Sequence, residues 1–406
     1  AEGHRFDSYC SHKMRFRTIR SLFSFKKFHM SGIYIHFPFC KKKCLYCAFY
    51  SIGNFQFYNS YLETLLKEID LRNNYLEDKT LNTLYLGGGT PTLLKINDIE
   101  AIIKKIRKYF TFSNNFEFTI EGNPDQLTLD YICDLKNLGV NRVSIGIQSF
   151  NDNILKLLGR THDAHQAHLA IENVISAGIN NISIDLIYGI YARTLSDWQK
   201  ELQIISNYHL PHFSAYSLTI EENSQLERKI KTQKFPQLND NQSIEELQLL
   251  INFAQEFGYE HYEVSNFAHS GFRSQHNSHY WDGTPYLGLG PSAHSFDGNS
   301  RQWNCASIKA YCEAIAQGKS FFTTEHLTTT EQYNEYVLLR LRTSEGLSLE
   351  ELKQRFGEKA LQYFLQELNK IDSTLYSKMG NYIQITPQGI ALTDAITAEL
   401  FQTSDF

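Results

Sequence analysis

Short β-rich runs alternate with longer segments of helical periodicity between residue 31 and about residue 222. This alternation predicts parallel strands joined by right-handed helical crossovers. The six predicted strands lie at residues 32–37, 81–86, 116–120, 142–147, 181–187 and 212–218, and the predicted helices lie near 55–73, 96–110, 127–138, 163–177 and 194–208. We therefore expect an α/β fold, built as a partial (β/α)6 barrel.

The C-terminal segment has a different pattern, with helices predicted near 331–342, 349–355 and 359–371 and a β pair near 377–386. This order predicts a small α+β domain of the winged-helix type. Residues 331–406 carry seven basic and eleven acidic side chains, which disfavours nucleic acid as a partner. We divide the chain at residues 1–30, a core at 31–235, a connecting region at 236–325 and the C-terminal domain at 326–406.

The first 29 residues form a basic segment, with seven Lys and Arg against Glu2 and Asp7. Such a segment fits either a basic leader of the mitochondrial type or a non-native extension that plays no part in the fold, which is our expectation. No apolar run of the chain approaches the roughly 20 residues of a bilayer span. We expect a cytoplasmic location, or a mitochondrial one if the basic leader is genuine.

Composition indicates a folded protein in a reducing compartment. The chain has 406 residues, 42% of them hydrophobic, which suffices for the packed cores of two or three domains. Its net charge of −5 gives no general attraction to nucleic acid or anionic lipid. Seven cysteines are an odd number, and three are clustered, so a disulfide framework is not expected.

The clustered cysteines, Cys40, Cys44 and Cys47, follow the first predicted strand and place three thiols within eight residues. Iron–sulfur clusters are usually held by four cysteines, whereas this run has Phe49 where a further cysteine would come. One iron would then stay open to a small molecule. The alternative is a structural zinc site with His36 as the fourth ligand, although structural zinc spacings usually come as two separated pairs.

Glycines and polar residues follow the other strands, at the end where parallel α/β folds place their chemistry. The run 87–89 is all glycine, Glu121 follows strand three, Gln148 ends strand four, and Asp185 lies on strand five. The glycines match neither a P-loop nor a dinucleotide fingerprint, but they would let a ligand approach the backbone closely. For each residue taken alone, a tight turn, a helix cap or a satisfied buried carboxylate remains an alternative.

Five runs of the chain resemble the oxygen-independent coproporphyrinogen III oxidase family of the radical S-adenosylmethionine (SAM) superfamily; they lie at residues 32–40, 85–92, 142–150, 158–162 and 185–189. The resemblance implies a [4Fe–4S] cluster on Cys40, Cys44 and Cys47. It also implies a SAM site formed by Tyr34, Tyr46, Gly88, Gly89, Thr90, Glu121, Gln148, Arg160 and Asp185. The loop at 191–194 departs from the family pattern, with Tyr-Ala-Arg-Thr in place of Pro-Gly-Gln-Thr.

Two features resemble the haem-chaperone branch of this family rather than the oxidase. Phe49 stands where the oxidase has a fourth cysteine, and residues 276–281 match the branch motif H-N-x-x-Y-W. The match implies haem contacts from His276, Asn277, Tyr280 and Trp281, since a neutral imidazole can ligate iron and aromatic rings can pack on a macrocycle.

For the haem iron ligand, His276 is our first candidate, and His279 and His294 are alternatives. The motif could instead be a hydrogen-bonded structural loop. The function implied is delivery of haem to an acceptor protein, for which we consider a respiratory protein and a transiently bound membrane protein. The alternative function is that of the oxidase, the radical decarboxylation of coproporphyrinogen III.

Overall fold

The computed structural model describes residues 31–220, 224–232, 235 and 239–403. The basic segment predicted at 1–30 lies outside the described residues. None of the helices in the described ranges combines the length and the apolar character that a bilayer span requires.

The strands and helices of the described ranges are as follows. The strands are β1 (Gly32–Phe37), β2 (Thr80–Gly88), β3 (Thr111–Gly122), β4 (Arg142–Gln148), β5 (Asn181–Tyr188), β6 (His212–Ser217), β7 (Glu260–Glu263), β8 (Asn266–Ala268), β9 (Tyr286–Leu289), β10 (His294–Phe296), β11 (Ser300–Asn304), β12 (Phe322–His326), β13 (Leu347–Ser348), β14 (Tyr376–Met379) and β15 (Tyr382–Ile385). The helices are α1 (Tyr58–Arg72), α2 (Ile96–Arg107), α3 (Leu129–Asn137), α4 (Asp152–Leu158), α5 (Ala164–Ser176), α6 (Leu195–Asn207), α7 (Gln225–Lys231), α8 (Asp240–Glu256), α9 (Gln275–Asp282), α10 (Ile308–Ala316), α11 (Thr329–Leu341), α12 (Leu349–Leu368) and α13 (Thr393–Glu399).

Strands β1 to β6 lie side by side in chain order and pair in parallel, which confirms the predicted α/β fold with its partial (β/α)6 barrel. The connecting region does not stand apart from this sheet. Strand β9 returns to pair in parallel with β1, and β8 pairs antiparallel with β6. Within the described residues the sheet reaches twelve strands, in the order β12-β11-β10-β9-β1-β2-β3-β4-β5-β6-β8-β7.

The two faces of the parallel sheet differ in polarity, because side chains alternate between faces along a strand. Ile33, Ile35 and Phe37 of β1 belong to the apolar core, together with residues such as Ile102 of α2 and Trp198 of α6. The opposite face, here called the inner face, is largely polar. It carries Tyr34 and His36 of β1, Thr83 and Tyr85 of β2, Glu117 and Glu121 of β3, Ser144 of β4, Ser183 and Asp185 of β5, and His212 and Ser214 of β6.

Helix α9 closes the inner face at the amino ends of the strands. Two N–H groups of its first turn, those of Gln275 and His276, donate to the two carboxylate oxygens of Glu117, and each of these hydrogen bonds measures 3.0 Å. The His276 ring also bonds through Nδ1 to Oγ1 of Thr83, which pairs with Gly32 at the very start of β1. The cysteines follow the other end of β1, so α9 and the cysteines lie at opposite ends of the sheet.

A fully buried carboxylate, Glu68 of α1, fastens the connecting region to the core. Its oxygens accept from the Tyr311 hydroxyl at 2.6 Å, the Gly290 N–H at 2.7 Å and the Asn304 amide at 2.7 Å. The Arg72 guanidinium lies 3.7 Å away. One side chain of the first helix therefore satisfies donors from residues more than 200 positions further along the chain.

The C-terminal domain combines helices α11 to α13 with the three-stranded sheet β13-β15-β14, which confirms the α+β character predicted for it. Its own core is built around Tyr333, Val337, Phe364 and Ile383. Helix α12 breaks at Gly357, where φ is 89°, in agreement with the two helices predicted there. The domain contacts the large sheet directly, since the N–H of Ser344 donates to the carbonyl of Tyr262 at 3.0 Å.

We predict that Glu68→Ala destabilises the protein by about 3–5 kcal/mol, because it leaves the buried Arg72 without its carboxylate and the buried donors of Tyr311 and Gly290 without an acceptor. The control is Glu63→Ala on the exposed side of the same helix, for which a change within about 0.5 kcal/mol is expected. Urea unfolding of both variants measures the difference. Equal stability of the two variants would show that this carboxylate does not hold the connecting region.

Candidate functional site

The cysteine loop, residues 38–53, follows β1 and is tied down at both ends. The N–H of Cys40 donates to the Ile52 carbonyl at 3.1 Å, and the N–H of Ile52 donates to the Pro38 carbonyl at 2.7 Å. In the middle, the N–H of Leu45 donates to the Leu158 carbonyl at 3.3 Å. Cys40, Cys44 and Cys47 are free, partly exposed thiols on this loop.

Two of the three sulfur atoms have polar donors from neighbouring loops. Arg160 donates through Nη1 to Sγ of Cys44 at 3.2 Å, and the Thr90 hydroxyl donates to Sγ of Cys40 at 3.5 Å. Asn123 joins the two donors, because its Oδ1 accepts from Arg160 at 2.7 Å and its Nδ2 donates to Thr90 at 3.5 Å. A guanidinium and a hydroxyl thus lie beside two of the three sulfur atoms.

The glycine run forms the wall beside the cysteine loop. The Gly89 N–H donates to the Phe37 carbonyl at 2.7 Å, and Gly88 has a φ of 105°, in the left-handed region. A side chain at Gly89 would place its Cβ 2.6 Å from the Phe39 carbonyl oxygen. The absence of side chains is therefore what lets this loop lie against the start of the cysteine loop.

Glu121 connects the glycine run to the inner face. Its Oε2 accepts from the Gly88 N–H at 3.1 Å, and its Oε1 accepts from the Tyr85 hydroxyl at 2.8 Å. Burial raises the pKa of Glu121 to about 7, since desolvation outweighs these hydrogen bonds. Burial likewise raises the pKa of Asp185, which accepts from the Ser144 hydroxyl at 3.3 Å.

The residues of the predicted SAM set form two tiers, one around the cysteine loop and one deeper on the inner face. Around the cysteine loop are Thr90, Arg160 and Tyr46, whose hydroxyl lies 3.5 Å from Arg160 Nη1. Gln148 is nearby, at the end of β4 with a φ of 72°. The deeper tier on the inner face contains Tyr34, Glu121 and Asp185.

His36, the fourth ligand in the zinc alternative, is engaged elsewhere. Its Nε2 bonds to the Tyr50 carbonyl at 2.8 Å and its Nδ1 to the Tyr34 hydroxyl at 3.2 Å, while burial lowers its pKa to about 4. With both ring nitrogens bonded, His36 has none to offer a metal. In the part of the chain that the structure describes, no three Cys, His, Asp or Glu side chains gather around one metal position, so the ligand role of the cysteines stays a prediction.

The H-N-x-x-Y-W motif, residues 276–281, lies on α9, at the opposite end of the sheet. His276 is buried with both ring nitrogens bonded, Nδ1 to Thr83 at 2.7 Å and Nε2 to the Tyr280 hydroxyl at 2.9 Å. Trp281 and Tyr280 line two cavities, and Asn277 lines the smaller of these. The motif thus presents Asn277, Tyr280 and Trp281 to open space, whereas His276 points into the protein.

Two residues with clear roles at the cysteine end were not singled out from the sequence. Asn123 bridges Thr90 and Arg160, and Tyr85 holds Glu121. Both stand in runs that the sequence marks, Asn123 two positions after Glu121 and Tyr85 two positions before the glycines. Their position after or near a strand end was a usable signal, but their partners were not readable from it.

Comparison with known families agrees with this geometry. The model of the Radical SAM superfamily matches residues 34–205, and that of the HemN C-terminal domain matches residues 327–392. Together with three cysteines placed directly after the first strand of a parallel sheet, these matches define a protein of the radical SAM class.

Individual relatives identify the family within the radical SAM class to which the chain belongs. The heme chaperone HemW of Bacillus subtilis is 33% identical over 334 residues, 81% of this chain and 87% of that protein. HemW of Mycobacterium tuberculosis strain H37Rv is 30% identical over 375 residues, 91% of this chain and 94% of that protein. The chain belongs to the HemW family, which confirms the resemblance found in its motifs.

A solved structure shows the same fold. Coproporphyrinogen III oxidase (HemN) from Escherichia coli, described as a radical SAM enzyme, superposes with a TM-score of 0.79 at 25% identity. The superposition covers 93% of this chain and 91% of that one. This chain and the oxidase therefore share an architecture, and architecture alone does not decide function.

We predict that replacing Glu121 by Gln flattens the pH dependence of stability. Because the pKa of Glu121 rises from 4.5 to about 7 on folding, the folded chain holds the proton more tightly, and stability is lost as pH rises from about 4.5 to about 7. The loss amounts to at most about 3 kcal/mol. Thermal unfolding of the cofactor-free chain from pH 5 to pH 8 measures it.

Two comparisons support the interpretation of that measurement. Glu256→Gln, at an exposed position of α8, should keep the wild-type slope. Part of the slope should also survive in Glu121→Gln, because burial raises the pKa of Glu263 to about 7 as well. Identical slopes in wild type and Glu121→Gln would contradict the assigned proton.

Proposed function

We propose that this protein is a haem chaperone that carries a [4Fe–4S] cluster and SAM and hands haem to an acceptor protein. Membership of the HemW family carries the proposal, since relatives that share most of its length are named heme chaperones. The chaperone motif on α9 supports it, as does Phe49, an exposed residue of the cysteine loop.

The cluster site that we propose consists of Cys40, Cys44 and Cys47. The residues fit such a group: three free thiols share one loop, and a guanidinium and a hydroxyl donate to two of the sulfurs. Hydrogen bonds to sulfur are among the features by which proteins tune iron–sulfur clusters. The cluster would supply an open iron, and the neighbouring set Tyr34, Tyr46, Gly88, Gly89, Thr90, Glu121, Gln148, Arg160 and Asp185 would bind SAM.

We predict that anaerobic reconstitution yields about four iron and four sulfide per chain. Cys44→Ala should lose most of the bound iron and sulfide, together with the cluster's visible absorption. Cys133→Ala, which removes a half-buried thiol of α3, should retain both. Zinc without labile sulfide in the wild-type chain would overturn the cluster assignment.

At the other end of the sheet, we propose that the haem-motif residues Asn277, Tyr280 and Trp281 contact haem. His276 belongs to the same site through its position, because it fixes α9 against Thr83 and orients Tyr280. In this role His276 orients its neighbours and does not ligate iron. To ligate iron, it would have to give up one of the two hydrogen bonds that its ring nitrogens make. Aromatic side chains next to a cavity suit a planar macrocycle.

The second candidate function is the oxidase reaction, favoured by the superposition on HemN over nearly the whole chain. One sample tests both functions. We predict that reduced, reconstituted protein takes up about one haem per chain and passes it to an added apo-haem protein, and that it forms no vinyl-bearing porphyrin from coproporphyrinogen III and SAM. Formation of that product at enzymatic turnover would overturn the chaperone function.

The kind of acceptor protein is part of the same proposal. For a chain with no membrane-spanning helix in its described ranges, we propose transient contact with a respiratory or membrane-bound acceptor.

We also propose that the chain divides into a radical SAM core at 31–235, a connecting region at 236–325 and a C-terminal domain at 326–406.

A further inference from the structure

A cavity of about 590 Å³ lies where three parts of the chain meet. Helix α9 forms one side, strands β9 to β11 form the second, and helices α11 and α12 of the C-terminal domain form the third. Ligand pockets typically measure about 300–1,000 Å³. The aromatic part of the wall is made by Tyr280, Trp281, Tyr286, Phe296 and Tyr336.

Four arginines also line this cavity, and one of them differs from the rest. Three are paired with carboxylates: Arg301 with Glu335, Arg342 with Asp394 and Arg355 with Glu351. For Arg340 of α11, the described ranges supply no ion-pair partner, and its Nε is buried without a hydrogen-bond acceptor. Arg340 as a whole is half-buried, and its one buried, unmet N–H favours an anionic ligand, because an unmet buried donor costs stability.

A histidine on the same wall is also unpaired. His279 of α9 is buried and lines the cavity, and its Nδ1 has no hydrogen-bond partner among the described residues. His276, one turn earlier, bonds through both ring nitrogens and does not line the cavity. His294, on β10, lines the cavity but is exposed, with its ring stacked on Trp303.

We propose that this cavity is the haem site, with Arg340 binding a propionate carboxylate and His279 offering its imidazole to the iron. The inference rests on the proposed chaperone function and adds the ligand-binding residues to it. It makes the C-terminal domain part of the haem site, because α11 supplies the cation that binds the propionate. It also separates haem from the cysteine loop by the length of the strands, since α9 covers their amino ends.

Binding of two ligands to the wild-type chain and to Arg340→Gln tests whether Arg340 binds a propionate. The probes are haemin and haemin dimethyl ester, which lacks the free carboxylates. We expect the wild-type chain to prefer haemin, and Arg340→Gln to weaken haemin binding by about tenfold or more while leaving the ester unchanged. Arg107→Gln, at an exposed position of α2 far from the cavity, should behave as wild type.

Unchanged haemin affinity in a folded Arg340→Gln protein would overturn the anchor, and so would an equal loss for both ligands. Thermal unfolding of the ligand-free variant checks the fold, and the wild-type-like affinity for the ester provides a second check. Failure of the wild-type chain to bind haemin at all would instead refute the proposed function, so the two failures are distinguishable.

The iron ligand is tested by spectroscopy on the same samples. His279→Ala should shift the Soret and visible bands of bound haem and weaken binding, whereas His294→Ala should leave the spectrum unchanged. A wild-type spectrum in His279→Ala would remove this histidine as ligand. A shift in His294→Ala alone would assign the iron to the exposed histidine of β10.

Discussion

The polar inner face of the parallel sheet is the constraint on which both ends of the molecule depend. Buried polar groups must find partners, or they cost free energy. Glu117 meets this requirement at the amino end, where it accepts two backbone N–H groups from α9 and lies 3.9 Å from Arg142. Glu121 meets it at the carboxyl end, through Tyr85 and the Gly88 N–H. Closing this face thus fixes α9 at one end and the glycine run at the other.

The two ends are joined by a short chain of contacts through the interior. The ring of His276 stacks on Tyr85, with 5.0 Å between centroids and 28° between planes. Tyr85 donates to Glu121, which in turn accepts from Gly88 in the glycine run. The burial of His276 therefore serves the architecture: its ring completes the packing beneath the residues that face the cysteine loop.

The sequence was sufficient for the parts of the fold that depend on local pattern. The first six strands, the cysteine loop and the ring of residues past the strand ends follow from periodicity and from the geometry of parallel sheets. The return of β9 to pair with β1 was not predictable in this way, because it joins residues about 250 positions apart whose run is only four residues long. The alternating polar residues of β3, Glu117 and Glu121, were a signal of a polar interior that could have been used.

For the candidate binding sites, the sequence motif identified the residues but not the direction in which their side chains point. Four of the motif residues lie within six positions on α9, yet the helix points His276 into the protein and Trp281 towards a cavity. Sequence spacing on a helix separates such residues by angle, and only the packing decides which angle faces a ligand. Likewise Asn123 could be placed near a strand end, but its bridge between Thr90 and Arg160 depends on three loops meeting.

The C-terminal domain shows why net charge is a poor guide to a local site. Its excess of acidic side chains argues against a nucleic-acid surface, yet the side that meets α9 presents Arg340, Arg342 and Arg355 to one cavity. The charge of the ligand that a cavity favours depends on the charges that line the cavity and on whether they are paired, because exposed charges elsewhere are screened by solvent. An acidic domain can therefore supply a cationic anchor, provided that no carboxylate lies within ion-pair distance of that anchor, as is the case for Arg340 within the described ranges.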